Sequence, residues 1–98
     1  MATFRNESVD RLFSAMLQLH DQEECAAFFE DLCTITEIRD MAQRLDAAIL
    51  LREGMNYQAI SKKLGISTTT ISRVSRCINY GSGGYATVLD RMKEEGTE

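Results

Sequence analysis

One glycine, Gly65, separates two short stretches whose apolar residues recur at helical spacing, and this limits the fold more than any other feature of the chain. Ahead of it, Tyr57, Ile60 and Leu64 fall at i, i+3 and i+7, one face of a helix. Asn56 stands just before as an N-cap, its side chain free to accept a bond from an orphan backbone N–H. Gly65 suits the end of that helix because glycine enters left-handed space without a Cβ clash. Ile66 can reach back into a core, and Ser67 reads as the N-cap of a second helix. Helix, glycine turn and helix over about residues 57–77 is the sequence form of a helix-turn-helix.

The second helix carries the functional signal. Ile71, Val74 and Ile78 share one face, and Thr69, Ser72, Arg73 and Arg76 lie on the opposite one at about 100° per residue. That outer face holds hydroxyls and two guanidinium groups and has no acid. A solvated face more often mixes Glu with Lys, because i, i+4 pairs of opposite sign support it. Hydroxyls and forked cations suit a groove lined with phosphate and floored with base edges. A capped, hydroxyl-rich surface helix that binds nothing is the other reading of these residues. Thr68-Thr69-Thr70 weighs weakly against it, since threonine is poor helix material.

The rest of the chain bounds the class. Ninety-eight residues without proline, with six glycines and long helical periodicities, point to an all-α protein. The expected organisation is a single helical domain over residues 1–93 and an acidic tail over 94–98. The longest apolar run, Ala47–Leu51, falls far short of the ~20 residues of a membrane span. No basic segment followed by an apolar one opens the sequence, so no signal peptide is expected and a cytoplasmic location is.

Net charge is −4, which argues against a nucleic-acid binder until its distribution is read. Residues 1–51 carry −6, residues 52–89 carry +4, and residues 90–98 carry −2. The positive charge coincides with the helix-turn-helix, as electrostatic docking to a polyanion requires.

Catalysis is not expected. Cys25, Cys33 and Cys77 include no CxxC, and with His20 alone they make no zinc pattern. On one helix Cys25 and Cys33 would lie about 12 Å apart. They read as reduced thiols used as small apolar residues. No nucleophile is paired with a base, and Gly81-Ser-Gly-Gly84 lacks the Lys-Ser/Thr of a phosphate-binding loop.

Six helices are expected in all. Val9, Leu12, Phe13, Met16 and Leu17 stripe a first helix over about 6–20. Asp21-Gln-Glu-Glu24 reads as a capping box opening a second, with Phe28, Phe29 and Leu32 apolar. Thr34-Ile-Thr-Glu37 repeats that pattern ahead of a third, about 36–52, whose face runs through Ile38, Met41, Leu45, Ala48, Ile49 and Arg52 and which Gly54 ends. Beyond the helix-turn-helix, Tyr80–Gly84 reads as a flexible break before a last helix marked by Tyr85, Val88, Leu89 and Met92, and the tail from Glu94 should fray. The first two helices and the last are very apolar for their length. A chain this short buries only about two-thirds of its surface, so they would pack better against a second copy.

Leu50-Leu51-Arg52, Met55, Leu64-Gly65 and Thr70-Ile71-Ser72-Arg73 resemble the tryptophan repressor superfamily, in detail its Trp-repressor-like branch of the YerC/YecD type. The resemblance runs from about Thr34 to Asn79. It implies six helices, a TrpR-like intertwined homodimer, and DNA reading by the second motif helix. By position it assigns Gln58 and Ser61 to DNA contact, and Thr68, Thr69, Thr70, Ser72 and Arg73 to the start of the reading helix. The charge argument, not the resemblance, adds Lys62, Lys63 and Arg76 as phosphate contacts, and Ser67 joins the set as the cap of the reading helix. The function expected is a homodimeric, sequence-specific regulator of transcription on double-stranded DNA, in the sense of a repressor. A protein-interaction module reusing the helix-turn-helix as a docking surface is the alternative, and a ligand-sensing pocket resembling an enzyme's is a weaker one for want of an acid/base set.

The family's namesake holds tryptophan between two arginines. One matches Arg73, the other falls on Gln43 with Arg44 beside it, and a glycine there is Val74 here. Val74 reads as a core residue that would fill the space of an indole, so tryptophan is not expected to bind in that manner and no cofactor is assigned; DNA binding would be either ligand-independent or tuned by another small molecule.

Overall fold

The computed structural model describes residues 4–96. Among them lie six α-helices and no strand: α1 Glu7–Met16, α2 Gln22–Leu32, α3 Ile35–Arg52, α4 Tyr57–Leu64, α5 Thr68–Tyr80 and α6 Gly84–Glu94. The all-α expectation holds. Two compact units divide the chain, one reaching Ile35 and the other starting at Thr36.

The first unit is held by local contacts. Asn6 caps α1 by accepting from the Val9 N–H at 2.8 Å. Arg5 pairs with Asp10 at 2.7 Å, and its guanidinium sits 5.7 Å from the Phe13 ring centre. α1 stops at Met16, short of the expected residue 20. There Gln18 N–H turns to Ala15 O and Leu19 N–H to Met16 O, a tightening of the last turn that ends the α pattern. Leu17, read as part of the helical stripe, thus lies outside the helix and is 82% exposed. Asp21 caps α2 through the Glu24 N–H. Glu24 does not close the reciprocal box on Asp21; its carboxylate accepts from the His20 N–H at 2.8 Å instead. Neither helix of this unit buries a residue.

The second unit holds the core. Ala47 and Ala48 of α3, Ile60 of α4, Ile71 and Val74 of α5 and Leu89 of α6 are all buried, with Leu45, Ile49, Leu50, Leu64 and Ile78 packed around them. Two alanines on α3 allow close approach, while the branched side chains facing them fill the space. The upstream part of the expected α3 face is less covered, and Met41 is exposed. α3 ends as a Schellman motif: Gly54 at φ 92° sends its N–H to Leu51 O, and Met55 N–H reaches Leu50 O. Arg52 bonds Asp90 of α6 at 2.6 Å. The glycine-rich break is shorter than expected, since α5 runs through Tyr80 and α6 begins at Gly84. Glu94 belongs to α6 and Glu95 caps it, so the expected tail is helical at its start; residues 97–98 of that tail and 1–3 of the expected domain lie outside the described residues.

Candidate nucleic-acid interface

The helix-turn-helix forms as its capping residues dictate. The Asn56 side chain accepts from Ala59 N–H at 2.8 Å and starts α4. Gly65 ends it at φ 69°, ψ 33°, with its N–H on Ser61 O. The Ser67 hydroxyl accepts from Thr70 N–H at 3.1 Å and starts α5. Ser61 fastens the turn from inside, its hydroxyl donating to Ile66 O at 2.6 Å. With Ile60, Ile71 and Val74 buried behind them, α4 and α5 have their polar faces fixed outward.

Those faces meet in an open groove of about 550 Å³ lined by Tyr57, Gln58, Thr68, Thr69, Ser72, Arg73 and Arg76. The outer face of α5 is therefore brought together with the start of α4. Thr69 and Arg76 stand about 10 Å apart along α5 by the helical rise, comparable with the ~12 Å width of a DNA major groove. No acid lines the groove, and among the described residues neither Arg73 nor Arg76 has a carboxylate partner. No acidic residue occurs anywhere between Glu53 and Asp90. A guanidinium group in that state presents a fork of N–H donors that matches carboxylate and phosphate geometry.

Other expected site residues lie elsewhere. Lys62 and Lys63 are exposed on the last turn of α4, where their charge also suits the helix C-terminus, and do not line the groove. Ser67 is exposed as the cap. Thr70 is half-buried with its hydroxyl 3.1 Å from that of Ser67, and it lines a separate cleft of about 190 Å³ with Asp40, Gln43, Arg44 and Ile66. Ser61 is likewise a turn residue.

Tyr57 is the groove residue that periodicity misassigned. Its spacing with Ile60 and Leu64 placed it on the core face, yet it is 36% exposed and forms a wall of the groove. As the first residue of α4 its side chain leans past the helix start, where no preceding turn of the helix lies beneath it, because helical side chains tilt toward the N-terminus. Its amphipathic ring was the available signal.

On α6, burial raises the Tyr85 phenol above its ordinary range, the charge interaction with Cys77 adds to the rise, and Arg44 opposes it. Cys25 and Cys33 are half-buried free thiols, whereas Cys77 is exposed and does not serve as an apolar filler. Among the described residues no three His, Cys, Asp or Glu side chains group as metal ligands, and no helix is long and apolar enough to cross a membrane.

Comparison with known proteins agrees with this architecture. YerC of Bacillus subtilis strain 168, described as uncharacterized, is 54% identical over 94 residues, covering 96% of this chain and 90% of that protein. A TrpR-like protein from Eubacterium eligens superposes with a TM-score of 0.87 at 47% identity, covering 91% of this chain and 92% of its own. A candidate Trp repressor from Staphylococcus aureus gives 0.87 at 45% identity, with 91% and 89% covered. The profile of the Trp repressor protein family matches residues 7–93. With a capped helix-turn-helix, six helices and a family match over most of its length, the chain belongs to the Trp repressor family.

Proposed function

We propose that this protein is a sequence-specific DNA-binding transcriptional repressor, acting in the cytoplasm as a homodimer. The observation that carries the reading is the acid-free groove on the helix-turn-helix, where Arg73 and Arg76 stand among Gln58, Thr68, Thr69 and Ser72 with no carboxylate partner among the described residues. Membership of a family of transcription regulators supports it. Arg73 presents a fork suited to guanine O6 and N7, and Gln58 an amide suited to adenine N6 and N7. Thr68, Thr69 and Ser72 offer short donors and acceptors to base edges or sugars. Arg76 holds a phosphate, Lys62 and Lys63 add phosphate contacts outside the groove, and Tyr57 supplies a phenol at its wall. Ser61, Ser67 and Thr70 serve the same contact indirectly, by fixing the turn and the first residues of α5.

The dimer rests on a second observation. Phe4, Leu17, Leu32 and Ile35 are more than half exposed, Met16 is exposed, and Phe13 and Phe28 are only half-buried in the single chain. Apolar area on that scale stabilises association when a second copy covers it. A two-fold dimer also presents two reading helices to half-sites one DNA turn apart.

The test is fluorescence anisotropy on duplexes selected from a random pool, across a salt series. Arg73→Ala should weaken the selected duplex by about 1–3 kcal/mol. Lys62→Ala or Lys63→Ala should weaken all duplexes alike and lower the salt slope by about one. Unchanged affinity in all three variants, with helicity intact, refutes the DNA reading. Light scattering at chain mass rather than twice that mass refutes the dimer.

A further inference from the structure

We infer that Gln43 is a positioning residue that sets the helix-turn-helix in its reading geometry, so that DNA binding needs no small-molecule effector. This rests on the DNA reading above. Ala47 and Ala48 of α3 share one apolar cluster with Ile60 of α4 and with Ile71 and Val74 of α5. Such contacts are non-directional and fix separation better than rotation. A directed bond supplies what they lack. The Gln43 side-chain amide on α3 donates to Leu64 O, 3.3 Å away, across 21 residues of sequence. Leu64 is the last residue of α4, and its carbonyl is one of those a helix end leaves without an intrahelical partner. Gln43 therefore ties the end of α4, and with it the Gly65–Ser67 turn that aims α5, to α3. Ser61 grips the same turn at Ile66 O.

The space between α3 and α5 leaves little for a ligand to do. Val74 is 2% exposed and belongs to the packed core cluster. The cleft beside Gln43, lined also by Asp40, Arg44, Ile66 and Thr70, amounts to about 190 Å³, below the ~300 Å³ at which ligand pockets begin. A protein whose competent state is already dominant gains nothing from an effector that selects it. Tryptophan or a similar zwitterion is accordingly not required for DNA binding.

The test uses the full-length protein, unfolded in guanidinium, dialysed and refolded to remove carried-over small molecules, with a duplex selected by untreated wild type and a scrambled duplex as control. The refolded wild type should bind the selected duplex as before, with no change on adding L-tryptophan or a low-molecular-mass cell extract. Gln43→Leu, which keeps bulk and removes the donor, should weaken the selected duplex about two- to tenfold, the range of one lost hydrogen bond. Gln43→Glu, which turns the donor into an acceptor facing a carbonyl, should lose at least as much. In both, the selected-to-scrambled ratio should fall while the salt slope and helicity stay unchanged, because no phosphate contact is lost. A merely structural residue would shift the melt and leave that ratio alone. Two results overturn the inference: both variants retaining wild-type discrimination, or a refolded wild type that binds only when extract or tryptophan is added. If selection enriches no duplex and the wild type shows no salt-dependent binding, the DNA reading itself fails, and this inference with it.

Discussion

Replacing Gly65 with Ala isolates the backbone conformation on which the helix-turn-helix depends. Gly65 sits at φ 69°, ψ 33°, and a Cβ added there would meet nothing within 4 Å. The substitution therefore carries no steric clash with neighbours, and its N–H bond to Ser61 O at 2.8 Å can persist. What remains is intrinsic: an L-residue in the left-handed region costs roughly 1–2 kcal/mol. Alanine also restricts the unfolded chain, which offsets about 0.4–1 kcal/mol. The net loss is about 1 kcal/mol, which for a chain this short lowers Tm by about 4–8 °C. Asparagine tolerates the left-handed region better, so Gly65→Asn should fall less far. Thermal melts by far-UV circular dichroism, run at equal protein concentration, check the order. Gly81→Ala is the contrast. Its φ of −86° is ordinary, but an added Cβ would run into the Cys77 carbonyl, so that loss is steric and Gly81→Asn cannot relieve it. If Gly65→Ala melts with the wild type, or Gly65→Asn falls below Gly65→Ala, the left-handed turn does not control the motif and the reasoning is wrong.

Ile71→Ala should destabilise by about 2–5 kcal/mol in urea unfolding, because Ile71 is fully buried behind the outer face of α5 and leaves a cavity; a loss under that range would show the site collapsing around the deletion. The Arg52–Asp90 pair is short at 2.6 Å but exposed on both sides, so a double-mutant cycle of Arg52→Ala and Asp90→Ala should return a coupling under about 1 kcal/mol. Tyr85 has a folded-state pKa raised above its ordinary 10.0, so the neutral phenol is the form the fold favours. Its contribution is complete below pH 10 and is lost as pH rises past that value, and Tyr85→Phe should flatten the alkaline loss of Tm between the two proteins. Parallel melts of wild type and variant across that range check the sign.

The caps of the helix-turn-helix were legible in the chain because they are local: Asn56, Gly65 and Ser67 each act on backbone within a few residues. The same holds for the buried face of α5, which one periodicity fixes, and for the charge segregation, which needs only counting. What the chain could not give were facts set by neighbours distant in sequence. Glu24 had two N–H groups within reach, and the path of the chain before α2 selected His20 over Asp21. Tyr57 shared the spacing of Ile60 and Leu64, yet lying at the first turn beside α5 made it a groove wall. Ser61 and Thr70 have the same hydroxyl chemistry as Thr69 and Ser72, and only packing assigned the first two to the turn and the last two to the groove. Gln43 has no local signature at all, since its bond to Leu64 exists only once α3 and α4 are folded together. Sequence by itself determined the elements, their caps and the sign of the surface, because propensity, turn chemistry and charge act over a few residues. Tertiary structure decided which hydroxyls face outward and which hold the turn, because a side chain's role depends on which carbonyl or cavity the fold brings within 3 Å or so of it.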